Sequence, residues 1–273
     1  MIPSLNVKIT LDEKTDLRLS YARGFRAPIL RELYFYYFDA NHSIQGNTDL
    51  KAESSNSYHA SVTRQFTTSE NLKFSSALSG FYNQFKNRIA LAAVSSDIYS
   101  YINIEKFRTT GGTLENNFSW KNLSATLGFS YIGRYNLYAE DKSFQHESLP
   151  KFVWSPEVSS NIIFRIPKLG AEAGFFYKFT GKQPSYTLGF NQSGQTDVFL
   201  MNTESYHWAD ISLSKNLFKY FTIQGGVKNL FDVVRLENTI ADTGSTHGSG
   251  GPILTAYGRS FFLGLNFQWT KNK

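Results

Sequence analysis

Two stretches of the chain hold residue types whose spacing could do chemistry. The first is "YAEDKSFQH", residues 138–146, where Glu140 and Asp141 are adjacent and Ser143 and His146 follow closely. Paired carboxylates can divide acid and base roles, and a serine, histidine and acid together can form an activated nucleophile. Either arrangement needs groups converging from separate rigid elements. Four polar residues on one connection have no reason to converge, so no active site is read there and the chain is not expected to be an enzyme. With no cysteine, neither a disulfide framework nor a thiolate metal site is possible.

The second stretch is "GFRAPILRELYFYYFDANHSIQGNTDLKAESS", residues 24–55. It contains the unbroken aromatic run Tyr34-Phe35-Tyr36-Tyr37-Phe38, with Arg26 before it and His42 after it. It joins two segments of strict apolar and polar alternation, yet has no such alternation itself. Its use has to be sought in the elements it connects.

Those elements are strands. Leu17, Leu19 and Tyr21 fall on one face of their segment and Asp16, Arg18 and Ser20 on the other. The same period of two runs through Leu123 to Tyr131, Phe152 to Arg165, Ala171 to Thr180 and Tyr257 to Trp269. Three phenylalanines, Phe81, Phe176 and Phe262, break it. Adding less regular segments at 2–10, 99–119, 205–216 and 221–231 gives about eleven strands. Connections between them alternate, short near 11–15, 67–70, 120–122, 167–170 and 217–220, and long near 25–53, 92–98, 134–150, 183–204 and 232–254.

Apolar residues make up 41% of the chain and aromatics 16%, yet the mean hydropathy is −0.32. Strands with one greasy and one wet face have that composition. No apolar run reaches the length of a membrane-spanning helix, which leaves a membrane barrel open because its strands alternate. The fold expected is therefore all-β, an antiparallel transmembrane β-barrel with short turns at one end and long loops at the other. A soluble lipocalin-like barrel or sandwich is the alternative, and a wet face along whole strands is a poor packed interior for it. The net charge of +6 comes from scattered Lys and Arg without a nucleic-acid motif, so no nucleic-acid partner is expected.

An odd number of strands does not close a single-chain bacterial barrel. The simplest expectation is a C-terminal part of a larger barrel, residues 1–273, with further strands upstream of Met1. The first residues, "MIPSLNVKITL", show no export signal, which agrees with a beginning elsewhere.

With the elements in place, the long connection resembles TonB-dependent outer-membrane receptors. In that family a Phe-Arg-Ala-Pro box leads to Glu-Leu-Tyr, a Gly-Asn-x-Asp-Leu-Lys box and Glu-Ser. Here these are Phe25-Arg26-Ala27-Pro28, Glu32-Leu33-Tyr34, Gly46-Asn47-Thr48-Asp49-Leu50-Lys51 and Glu53-Ser54, in that order. "GGVKNLFDV" and "YGRSFFLGLNFQW" are similar to the family's last two strands. The resemblance implies a bacterial outer-membrane location and a barrel of about twenty-two strands. It also implies a plug domain and a TonB-contacting segment, both absent from this chain. The function implied is uptake of an iron chelate, haem or a ferric siderophore, with energy from TonB. Partners would be outer-membrane lipid, TonB through the missing N-terminal part, and the chelate; no resident cofactor is expected.

The resemblance to haem receptors singles out His42, between the two boxes, as a candidate ligand of haem iron. Tyr34, Tyr36, Tyr37 and Arg26 are further candidate ligand contacts. The second box carries Thr48 where haem receptors usually have proline. Tyr99, Tyr101, Tyr135, Tyr138, His146, Tyr186, His247 and Arg259 could line a siderophore site. Each box also has a purely structural reading: Pro28 ends a strand, and Gly46-Asn47 makes a turn. A cobalamin or glycan receptor of the same family, or a stand-alone structural or adhesive barrel, are the other functions this sequence admits.

Overall fold

The computed structural model describes residues 2–38, 43–69, 71–94, 98–140, 149–190, 196–218, 220–239 and 252–269. Strands β1 (Ser4–Asp12) and β2 (Thr15–Arg26) are followed by a five-residue helix α1 (Leu30–Tyr34), then by the short strands β3 (Tyr36–Phe38) and β4 (Ser43–Gln45). Next come β5 (Glu53–Thr68), β6 (Leu72–Ala93), β7 (Ile98–Trp120), β8 (Leu123–Tyr135), β9 (Phe152–Ile166) and β10 (Ala171–Thr180). A hairpin, β11 (Gln183–Phe190) and β12 (Thr196–Thr203), precedes β13 (Tyr206–Leu217) and β14 (Phe221–Lys228). Three two-residue strands follow, β15 (Arg235–Leu236), β16 (Asn238–Thr239) and β17 (Ile253–Leu254), and the last is β18 (Ser260–Phe267).

Eleven of these strands form one continuous wall in the order β1-β2-β5-β6-β7-β8-β9-β10-β13-β14-β18. Every neighbouring pair along it is antiparallel. The wall is the set of strands read from alternation, and the remaining short strands lie inside the long connections. Short turns alternate with longer connections along it, and the long ones gather at one end; the exception there is β6 to β7, expected to be long near 92–98 but joined by only 94–97 because both strands continue outward.

The register puts like beside like. Leu17, Val62, Leu78, Leu114, Phe129, Val158 and Phe179 follow one another across seven strands on one face. One rung over on the opposite face, Ser61, Ser79, Thr113, Ser130 and Glu157 do the same. Thr113 and Ser130 share a hydroxyl–hydroxyl hydrogen bond of 2.9 Å, and Lys178 Nζ pairs with Glu157 at 3.1 Å.

The apolar face is uncovered: Leu78 is 62% exposed and Leu263 79%. A lipocalin-like barrel or sandwich turns its greasy face inward, whereas this single sheet turns it outward and keeps the polar face on the other side. Such a wall is stable only with hydrocarbon against it.

Aromatic belts bound that face. Tyr21 and Tyr58 have ring centroids 5.1 Å apart and Tyr131 stacks on Trp154 at 4.9 Å, toward the long connections. Phe66 stacks on Phe74 at 5.3 Å and Phe221 lies tilted against Phe267 at 5.0 Å, toward the short turns. Tyr58 and Phe66 are separated by roughly 27 Å along their strand at ~3.4 Å per residue. A tilt of about 40° reduces this to about 21 Å, close to the apolar band of an outer-membrane barrel.

Two of the three phenylalanines that break the alternation have a packing reason. Phe81 lies opposite Gly111 and Phe262 opposite Gly226, on the polar face. A Cβ at Gly111 would sit 2.9 Å from the Phe81 ring, and one at Gly226 2.8 Å from the Phe262 ring. Each ring covers the backbone that its glycine leaves bare. Phe176, between Asn161 and Asp210, has no comparable partner.

Candidate ligand-binding rim

The connection from β2 to β5 is fastened at its base by Arg26. Its Nε and Nη2 donate to Glu53 at 2.8 Å each, and its Nη1 reaches both Glu32 oxygens at 2.9 Å. One guanidinium thus ties the end of β2 to the start of β5 and to helix α1. Glu53 Oε1 also accepts the Ile89 backbone N–H of β6 at 2.6 Å, and Glu32 Oε2 accepts that of Ile29 at 2.9 Å, where it caps the helix. The Arg26 hydrogen bonds hold the Glu53 carboxyl below its ordinary pKa, against the effect of burial, which pushes it up. These groups stand five residues beyond the Tyr21–Tyr58 belt on their strands, outside the apolar band.

Gly46 sets the next contact. Its N–H donates to Phe35 O at 2.6 Å, and a Cβ there would lie 2.6 Å from the backbone of Leu33 and Tyr34. Only glycine lets β4 return this close to the end of α1. Asn47 N–H donates to Glu32 O at 2.8 Å, its Nδ2 to Tyr101 O at 2.9 Å, and its Oδ1 accepts the Asp49 N–H at 2.9 Å. Asn103 exchanges hydrogen bonds of 2.7 and 2.9 Å with the backbone of Lys51. Both boxes are therefore built into the scaffold.

What these contacts support is a raised hairpin. β3 pairs antiparallel with β4, and β4 runs parallel to the outer part of β7, with Ser43, Ile44 and Gln45 against Ile98, Tyr99 and Ser100. Strands β6 and β7, 22 and 23 residues long, far exceed the ~10 residues that cross a bilayer, so they carry the hairpin well above the belt. On it Tyr36 is 66% exposed and Tyr37 47%, with Tyr34 and Phe38 exposed beside them. Exposed aromatic rings on a clamped backbone can stack on a planar or aromatic ligand at low cost in conformational entropy.

The candidate residues separate accordingly. Tyr36 and Tyr37 sit next to each other on β3 of the hairpin and Tyr34 ends α1 beside it, all three exposed, while the Arg26 guanidinium is taken up by two carboxylates at the base of the connection. His42, His146 and His247 lie outside the described residues, as do Asp141 and Ser143. Tyr135 is buried with Arg108 over its ring at 5.0 Å, and burial pushes the Tyr138 phenol up. Arg259 is locked into the connection before β18: its N–H donates to Asp232 Oδ1 at 2.6 Å and its Nε to Leu230 O at 3.0 Å. Buried Asn229 closes that turn with two 2.9 Å hydrogen bonds to the Val233 backbone. Residue type alone did not single out Glu32, Glu53, Asn47 and Asn103; the first three stand in the boxes that carry the family resemblance, and Asn103 had no signal of its own.

Residues 2–230 match the family described as TonB dependent receptor-like, beta-barrel. The chain belongs to that family. It is an outer-membrane protein, so the uncovered face of the wall is its lipid face, the polar face its lumen side, and the hairpin part of the outer rim. Over 93 residues, a third of the chain, it is 40% identical to hemoglobin and hemoglobin-haptoglobin-binding protein C of Haemophilus influenzae, covering 8% of that protein. It is 23% identical to the ferrienterobactin receptor of Escherichia coli K12 over 97% of the chain and 37% of the receptor. A variant of the ferric enterobactin receptor of Pseudomonas aeruginosa, solved with enterobactin, superposes with a TM-score of 0.68 at 21% identity, covering 97% of this chain and 40% of that one. The copper transporter OprC superposes at 0.63 and 16% identity, over 97% and 38%. The chain thus spans well under half the length of each of these relatives, and the solved receptors show the shared fold.

Proposed function

We propose that this chain is the C-terminal part of a longer TonB-dependent receptor that captures an iron chelate at the cell surface and takes it up with energy from TonB. The missing part would supply a plug domain, a TonB-contacting segment and the remaining strands; both outer edges of the wall, β1 and β18, pair on one side only among the described residues. The observation that carries the reading is exposed tyrosine on the outer connection, Tyr34 ending α1 and Tyr36 and Tyr37 on the hairpin, above a base that Arg26 fastens to the wall. The names of the relatives, haemoglobin-binding proteins and a ferrienterobactin receptor, support an iron chelate.

Two chelates fit an aromatic rim, haem with His42 as iron ligand or a ferric siderophore stacked on the tyrosines. Outer membranes carrying the complete receptor can be titrated with haem, followed by Soret absorbance, and with ferric enterobactin, followed by protein fluorescence. Haem binding that weakens about tenfold or more in His42→Ala assigns the histidine. Siderophore binding that weakens in Tyr36→Ala and Tyr37→Ala but not in His42→Ala assigns the other chelate. Binding of neither by a correctly inserted receptor sinks the proposal.

A further inference from the structure

The lipid face is not uniform. Toward the short turns, Ala173 of β10, Leu213 of β13, Gly225 of β14 and Leu263 of β18 form one cross-strand row. Ala171 and Lys215 face each other one rung closer to the turns. Where neighbouring rungs carry Phe, Ile and Leu, three positions here are Ala, Ala and Gly. They leave a groove of about 360 Å³ whose lining is almost wholly apolar, with Lys215 among the residues that bound it.

Lys215 is the second observation. It lies on the lipid face two residues from the end of β13, is exposed, and makes no ion pair among the described residues. Glu172 also borders the groove, but its carboxylate is held by Arg165 Nε at 3.0 Å. Arg64, the other basic strand residue on this face near the turns, is neutralised by Asp12 at 3.6 Å and bonded to Thr15 at 3.0 Å. A lysine on a lipid-facing strand is costly near the midplane and tolerated near the interface, where its chain can bend toward phosphates.

We infer that this groove is a phospholipid site: one acyl chain lies along Ala173 and Gly225, and the headgroup phosphate accepts hydrogen bonds from Lys215. In lipid no hydrophobic force separates groove from surroundings, so affinity comes from close packing over small side chains and from the charge-assisted contact. The turn side faces the periplasm, so the occupant belongs to the inner, phospholipid leaflet.

Native mass spectrometry of the complete receptor, released from nanodiscs of phosphatidylethanolamine and phosphatidylglycerol, tests this. The wild type should keep one phospholipid under activation that strips the others. Ala173→Phe, which fills the groove with a side chain suited to a lipid face, and Lys215→Gln should each reduce retention about tenfold, the size of one lost charge-assisted hydrogen bond. Lys215→Arg should keep the lipid, and excess inorganic phosphate should not displace it. Three results overturn the inference: equal retention in both damaging variants, loss in Lys215→Gln alone with displacement by inorganic phosphate, or a dimer of the receptor abolished by Ala173→Phe. The last two would mean a plain anion site and a second copy in the groove.

Discussion

Arg26 shows how one residue can look like a ligand contact and act as a fastener. Its guanidinium makes four hydrogen bonds to two carboxylates from different elements, a fork geometry that lysine cannot reproduce. Arg26→Lys should therefore loosen the base of the loop nearly as much as Arg26→Ala. A nitroxide placed on exposed Thr48 would read this as increased mobility, with the wall's melting unchanged. The same probe reads a pH dependence. Glu53 has a folded pKa below its ordinary value, so its pairing is fully present above the ordinary carboxylate range of about 4.3 and is lost as pH falls through the lower folded value. Thr48 should stay immobile from pH 7 to 5 and loosen only in more acidic solution. In Glu53→Gln it should be mobile throughout.

At the scale of elements, glycine positions carry the sharpest expectations. Gly111→Val would press on Tyr131 O, 2.7 Å from the new Cβ, and on the Phe81 ring, and should destabilise the wall by about 1–3 kcal/mol in urea unfolding. Gly46→Val should leave the wall intact but part β4 from α1, seen as faster amide exchange over residues 30–52 at unchanged global stability. The contrast explains what was legible in the sequence. The eleven wall strands could be read because lipid on one side and a wet lumen on the other impose a period of two on each of them. The interior of the 27–52 connection could not, because α1, β3 and β4 depend on distant groups: Glu53 and Ile89 for Arg26, Tyr101 for Asn47, Asn103 for Lys51. None of these leaves a periodic trace. Phe81 and Phe262 looked like errors in the pattern until the facing Gly111 and Gly226 showed what they cover.

The whole molecule is a wall and a rim with separate tasks. The wall meets lipid with one face and a polar lumen with the other, and its long strands β6 and β7 lift an aromatic hairpin clear of the membrane. Exposed rings at that height are useful if a ligand arrives from outside. Loss of the Tyr36 and Tyr37 rings together should therefore weaken chelate binding by about 2 kcal/mol or more, at roughly 1 kcal/mol per stacked ring beyond its buried area. Chelate uptake is tested most directly with radio-iron, as haem or ferric enterobactin, in iron-starved cells that depend on the complete receptor carrying this chain. Uptake should fall with Tyr36→Ala/Tyr37→Ala and stop when TonB is deleted. Cells that insert the receptor correctly yet take up neither chelate, or take one up equally well without the receptor, would contradict the proposed function.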